Sequence, residues 1–308
     1  MTKRSISPYL LLVLVTLFWA GNSVVARYIR LEMPPISLSF WRWAVAGALL
    51  LPFVWRDMRR DWPLVKANQG TVALLALLGV TNYNTFLYLA LQTTTASNAL
   101  LLVSTMPLVI ILLSRLILGS SIQLRQSLGI TASMAGVAVI VAHGELKRLL
   151  ELNLSSGDLW VLAAVFSWGA YSVLLKRRPV GLDGMSLLGY TVVIGTMFIL
   201  PLYLWELGTG RTVNLNLLTL SSVFYVALFP SLLAYLFWNH AVEEVGPNRA
   251  GQFVHLVPVF GTLMSVFLLG ERLHGYHYAG ISLVAVGIVL ATVGNAVSVQ
   301  RTSVKPGP

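Results

Sequence analysis

The chain has 308 residues, 56% of them hydrophobic and only 10% charged, with no cysteine and a formal net charge of +10. Soluble globular domains carry about 25% charged residues, so the composition excludes that class, and the lack of thiols excludes disulfides, cysteine nucleophiles and cysteine-ligated zinc. The positive charge would suit nucleic acid only on a soluble basic face, which no segment supplies, so the lipid bilayer and not nucleic acid is the expected partner.

A helix needs about 20 largely apolar residues to cross the hydrocarbon layer, and ten such segments predict an all-α membrane protein of ten transmembrane helices. The first, 8–28, places Trp19, Asn22 and Ser23 near its middle, away from the interfaces where Trp and Tyr usually collect. Lys3 and Arg4 ahead of it have the pattern of a signal-peptide start, but the repeat described below argues against cleavage. The second, 35–55, holds Arg42 about a third of the way down. That cation either grips a substrate carboxylate with two hydrogen bonds or snorkels to the nearby interface, and snorkelling is the preferred expectation. The third, 70–91, carries Asn84 and Tyr88 on one face, and the fourth, 97–118, carries Ser97, Leu101 and Ser104 ahead of Pro107. The fifth, 124–142, spaces Gly129 and Gly136 seven apart. A link over 143–156, with Glu145, Lys147, Arg148 and Glu151 among leucines, is read as a connection.

The sixth segment, 157–176, holds Trp168, Tyr171 and Ser172, and the seventh is 184–205. The eighth, 218–240, carries Tyr235, Trp238 and Asn239; the ninth, 248–269, presents Asn248, Gln252 and His255 as one stripe ahead of Pro258. The tenth, 275–296, repeats Gly280, Gly287 and Gly294 every seven residues.

A shift of 151 residues lays 90–141 over 241–292, pairing Ala99 with Ala250, Pro107 with Pro258, Gly129 with Gly280 and Gly136 with Gly287. A shift of 149 pairs Trp19 with Trp168, Ser23 with Ser172 and Pro52 with Pro201. The chain therefore divides into a first five-helix repeat at 1–146, a second at 157–298 and a tail at 299–308. Five is odd, so the second copy enters the membrane from the opposite side, a recurring transporter plan with its site where the halves meet. With the N-terminus cytoplasmic, fourteen Lys and Arg fall in inner segments and six in outer ones, so the positive-inside rule places both termini in the cytoplasm.

In order and in duplicate, several short motifs resemble one family. They are Trp19-Ala20-Gly21-Asn22, Phe40-Trp41-Arg42, Pro107, Gly129 and Gly136, then Trp168-Gly169, Pro258, Leu269-Gly270-Glu271, Gly280 and Gly287. Over roughly 8–296 the chain resembles the drug/metabolite transporter superfamily of the EamA-repeat type, and within it the YddG-type exporters of aromatic amino acids. The family's glutamate is present as Glu271, while the first repeat has Ser120 there, so no paired role follows. The resemblance implies a multi-pass protein of the bacterial inner membrane that exports small metabolites, aromatic or other neutral amino acids, by alternating access through a central cavity.

Polar groups in membrane helices usually face the bundle interior. The candidate substrate-binding residues are Trp19, Asn22, Asn84, Tyr88, Ser104, Trp168, Tyr171, Tyr235, Trp238, Asn239, Gln252 and His255, with Pro107 and Pro258 as hinges. The expected cavity has spans three, four, eight and nine as walls, spans one and six contributing, and Trp19 and Trp168 near its ends. All eleven acids fall in loops or at helix ends, so transport without obligatory proton coupling is expected, with His240 and His255 as the remaining proton carriers. No metal or cofactor is expected, and the protein is expected to be a monomer or weak homodimer. Export of drugs or other metabolites is the alternative. An intramembrane enzyme is a remote one, because Glu243-Glu244 and Arg249 stand one residue too far apart for a membrane-protease motif and no G-x-S-x-G or H-E-x-x-H occurs.

Overall fold

The computed structural model describes residues 6–29, 31–145, 147, 155–269 and 272–292, and among these it contains helices and turns and no strand. Arg148, Glu151, Gly270, Glu271, Gly294 and the 299–308 tail lie outside the described residues. Span one is Pro8–Tyr28, span two Pro35–Ala67, span three Gln69–Ala90, and span four Ala96–Val103 followed by Met106–Leu118. Span five is Leu124–Val141, span six Ser156–Arg177, span seven Gly184–Gly208 and span eight Leu217–Val245. Span nine joins Pro247–Gln252, a tight turn at Phe253–His255 and Leu256–Leu269; span ten is Gly275–Thr292. Nine described helices are by length and composition able to cross a membrane; span nine, built of three short pieces, makes the tenth. Large apolar side chains such as Phe53, Leu116, Phe166, Phe224 and Val289 stay exposed around the bundle, as a lipid-facing surface requires.

Residues at the repeat offset touch their own counterparts, which is possible only on the axis relating the two halves. Trp19 packs edge to face on Trp168 at 5.0 Å. Asn84 Nδ2 donates to Tyr235 Oη at 3.3 Å, 151 residues away. Ser133 Oγ donates to the Val284 carbonyl at 3.4 Å, and His255 Nε2 to the Ser104 carbonyl at 2.8 Å, again 151 apart. The seven-residue glycines of spans five and ten face each other in the same way. A Cβ on Gly129 would stand 2.5 Å from the Gly287 carbonyl oxygen, and one on Gly136 would stand 2.6 Å from that of Gly280. Both contacts are one contact seen twice, because Gly280 and Gly287 are the counterparts of Gly129 and Gly136. The pseudo-twofold thus runs through the bundle and relates two five-helix units; the glycines serve packing inside the protomer.

Helix breaks recur at matching places. Spans three and eight both widen into a π-turn, Ala76–Asn82 and Leu228–Leu233. Such bulges free backbone carbonyls and often mark functional positions. Span four breaks at Ser104–Thr105, just ahead of Pro107, and span nine tightens at Phe253–His255, just ahead of Pro258. Proline is tolerated there because it sits in the first turn of the new helix, where no partner for its missing N–H is needed. Span two outruns the expected 35–55 by a dozen residues. Apolarity stops at Arg56, but Val54, Met58, Asp61 and Val65 keep one face buried against span seven, where Tyr190 Oη donates to the Met58 carbonyl at 2.6 Å.

Candidate substrate cavity

Span two begins at Pro35, and its first free N–H groups, on Ile36 and Ser37, donate to the Glu206 carboxylate of span seven at 3.2 and 2.6 Å. Ser39, Trp43, Ala46 and Leu50 then turn inward, and Arg42 turns with them. Arg42 is only 1% exposed, which corrects the snorkelling expectation. The reason lies across the bundle. The π-turn of span eight leaves the Pro230 carbonyl free, and Arg42 Nη2 donates to it at 2.9 Å. Arg42 Nε donates to Ser231 Oγ at 2.5 Å, and Ser231 in turn donates to the Val226 carbonyl at 2.6 Å. Nη1 reaches Asn84 Oδ1 at 2.8 Å, Tyr88 Oη at 2.7 Å and Asn22 Oδ1 at 3.2 Å. One guanidinium thereby ties spans one, two, three and eight, and all five partners are neutral. The counterpart of Pro230 is Gly79, whose carbonyl accepts from Tyr235 Oη at 2.5 Å. Carbonyls of the two π-turns are thus used in the polar core.

In front of this cluster lies a cavity of about 400 Å³, within the range of small-molecule sites. Trp19, Asn22, Ser23 and Ala26 line it from span one, Tyr83, Asn84, Leu87 and Tyr88 from span three, and Ala99, Leu100 and Val103 from span four. Pro35 and Leu38 close one side, Val254 and Val257 of span nine another. It extends toward the face of the 29–34 and 91–95 loops, since Met33, Gln92, Thr94 and Thr95 also line it. Among the described residues, none that lines the cavity carries a carboxylate.

The equivalent region of the second repeat is packed shut. Trp168, Tyr171, Tyr235 and Trp238 are all buried and form one edge-on and tilted aromatic cluster centred on Trp168, which Trp19 joins, with ring centroids at 5.0–6.0 Å. Tyr88 Oη donates to Asn22 Oδ1 at 2.9 Å beside the cavity. On the closed side Tyr171 Oη donates to Asn239 Oδ1 at 2.8 Å. These are repeat counterparts with amide and phenol exchanged. Near the closed face Arg178 pairs with Glu243 at 2.5 Å, Lys176 donates to the Glu243 carbonyl at 2.6 Å, and Arg177 donates to the Ile117 carbonyl.

Four candidates, Trp19, Asn22, Asn84 and Tyr88, therefore line the cavity, while Trp168, Tyr171, Tyr235, Trp238 and Asn239 belong to the closed side. Trp19 and Trp168 touch each other and do not mark opposite ends. Span one and the start of span two replace span eight in the walls. Ser104 and His255 hold each other on the axis, and Gln252 is fully buried; none of the three lines the cavity. A carbonyl only accepts, so Ser104 fixes a proton on His255 Nε2. The residue that sequence reasoning undervalued is Arg42; its burial depends on a π-turn that no local pattern in span eight announces.

A cavity open to one face of a membrane bundle and sealed toward the other by the same machinery in inverted copy defines a transporter. The EamA-like transporter family matches residues 6–142 and again 155–293, and the chain belongs to that family. It is 30% identical to an uncharacterized transporter of Archaeoglobus fulgidus over 92% of this chain and 96% of that one. It is 26% identical to the uncharacterized transporter YyaM of Bacillus subtilis, covering 94% of each. The same identity holds to the uncharacterized inner membrane transporter YedA of Escherichia coli, over 94% of this chain and 92% of the relative. A solved crystal structure shares the fold, with a TM-score of 0.73 at 20% identity, over 92% of this chain and 96% of the other.

Proposed function

We propose that this protein sits in a bacterial inner membrane with both termini in the cytoplasm and exports small metabolites, neutral and aromatic amino acids among them, by alternating access. The observation that carries the reading is the one-sided cavity, walled by Trp19, Tyr83 and leucines with amides and a phenol at its floor, above an aromatic plug built from the second repeat. With the termini inside, the 29–34 and 91–95 loops are outside, and the structure represents an outward-open state. Opening the other way parts the Tyr171–Asn239 contact and the Arg178–Glu243 pair, while the cavity closes as its counterpart is closed here. No carboxylate lines the cavity among the described residues, so solute runs down its own gradient without an obligatory proton.

The test is transport by purified protein in liposomes of radiolabelled tryptophan, threonine and a cationic dye. Tryptophan and threonine are expected to equilibrate across the membrane and the dye to stay behind. Transport of the dye alone would overturn the amino-acid reading.

A further inference from the structure

A guanidinium cannot give up its proton in a protein and can only donate hydrogen bonds. That fixes the orientation of the amides around Arg42. Asn22 and Asn84 must both turn Oδ1 toward it, so their Nδ2 groups point away. Asn84 Nδ2 spends one hydrogen on Tyr235. Asn22 is 4% exposed and lines the cavity; its Oδ1 serves both Arg42 and Tyr88, and its Nδ2 has no partner among the described residues. Arg42 therefore acts on the cavity at one remove, turning donors outward and adding a positive field behind them.

No described carboxylate is hydrogen-bonded to the cation behind that field. All of Arg42's described hydrogen-bond acceptors are neutral, and the described residues that line the cavity include no Asp or Glu. A buried cation normally finds a carboxylate, because leaving it unpaired in low dielectric is costly. A solute that brings its own carboxylate completes the pair. A solute that brings an ammonium meets repulsion and no acidic partner.

We propose that the cavity is a carboxylate site. Small amphipathic acids bind with the anionic end at the Nδ2 groups of Asn22 and Asn84 and the apolar body against Trp19, Tyr83 and Leu87, and the α-ammonium of an amino acid is not read by any charge. Arg42 is the positioning residue. The proposal rests on the cavity being the transport site.

Four probes that share a phenyl body separate the charges: 3-phenylpropionate, phenylalanine, phenylalaninamide and phenethylamine. Binding to the purified protein by calorimetry is expected to place phenylpropionate at or above phenylalanine, and both about tenfold or more above the two cations, the size of one charge-assisted hydrogen bond. Asn22→Asp puts a carboxylate where Oδ1 already meets Arg42; it should keep thermal stability, lose the acids about tenfold, and abolish the acid preference. Arg42→Lys should keep the preference in weaker form and Arg42→Gln should erase it, a change of rank order that a merely structural role would not produce. Cations binding as tightly as acids to the wild-type protein would overturn the carboxylate site, with no variant needed. Failure of all four probes while threonine is transported overturns it too and leaves the transport reading standing, whereas absence of any solute transport overturns that reading itself.

Discussion

Gly129 and Gly287 have no room for a side chain: a Cβ on Gly287 would meet Ser133 Oγ at 2.1 Å and the Gly129 carbonyl at 2.4 Å. Backbone cannot give way as a flexible side chain can, so Gly287→Ala should destabilise by about 1–3 kcal/mol, the usual cost of overpacking. Thermal unfolding in detergent checks this, and an unchanged midpoint would mean spans five and ten do not cross there. This contact was legible in the sequence because two glycine stripes at the same spacing stood in counterpart spans. Arg42 was not. Its position in span two was visible, but its direction was decided by Ser231 and the Pro230 carbonyl, almost 190 residues away. Asn84 and Tyr88 were legible as one helical face; that Tyr235 and Asn239 would face a closed region followed from which repeat happened to be open.

At the scale of elements, apolar length revealed the spans and concealed their interruptions. Span four reads as one segment over 97–118, yet its helix stops at Val103 and restarts at Met106. Ser104 Oγ and Thr105 Oγ1 donate to the Leu101 and Leu102 carbonyls at 2.6 Å each, satisfying groups that the break leaves over. The Ser104 carbonyl is taken by His255, so the break is held by the opposite repeat. His255→Ala should leave that buried carbonyl unpaired and cost about 1–3 kcal/mol. Because His255 does not line the cavity, solute affinity should change less than twofold in calorimetry, at roughly RT-level energies. A large loss of affinity with unchanged stability would move His255 from the scaffold into the site.

For the molecule as a whole, two five-span units of opposite entry put Ser121 and Gly208 on different sides. Reporter fusions there should read cytoplasm and periplasm respectively; the same side for both would contradict the inverted repeat. Coupling is tested by gradients. A solute gradient alone should drive flux in liposomes, and an imposed pH gradient alone should drive no accumulation, since no carboxylate lines the cavity among the described residues. Accumulation driven by pH would turn attention to His240, which is exposed on span eight, and to His255.

Alternating access itself is open to the most direct measurement because the chain has no cysteine of its own. Ser23 lines the cavity, and its counterpart Ser172 is fully buried on the closed side, where it accepts from Trp238 Nε1 at 3.2 Å. Single-cysteine variants Ser23→Cys and Ser172→Cys are reconstituted and treated with an impermeant thiol reagent from one side at a time. At rest, Ser23→Cys should react only from the side of the 29–34 loop and Ser172→Cys from neither. During turnover with saturating solute, Ser172→Cys should become reactive from the opposite side as Ser23→Cys becomes slower. Reaction of either position from both sides at once would describe a channel and contradict the account.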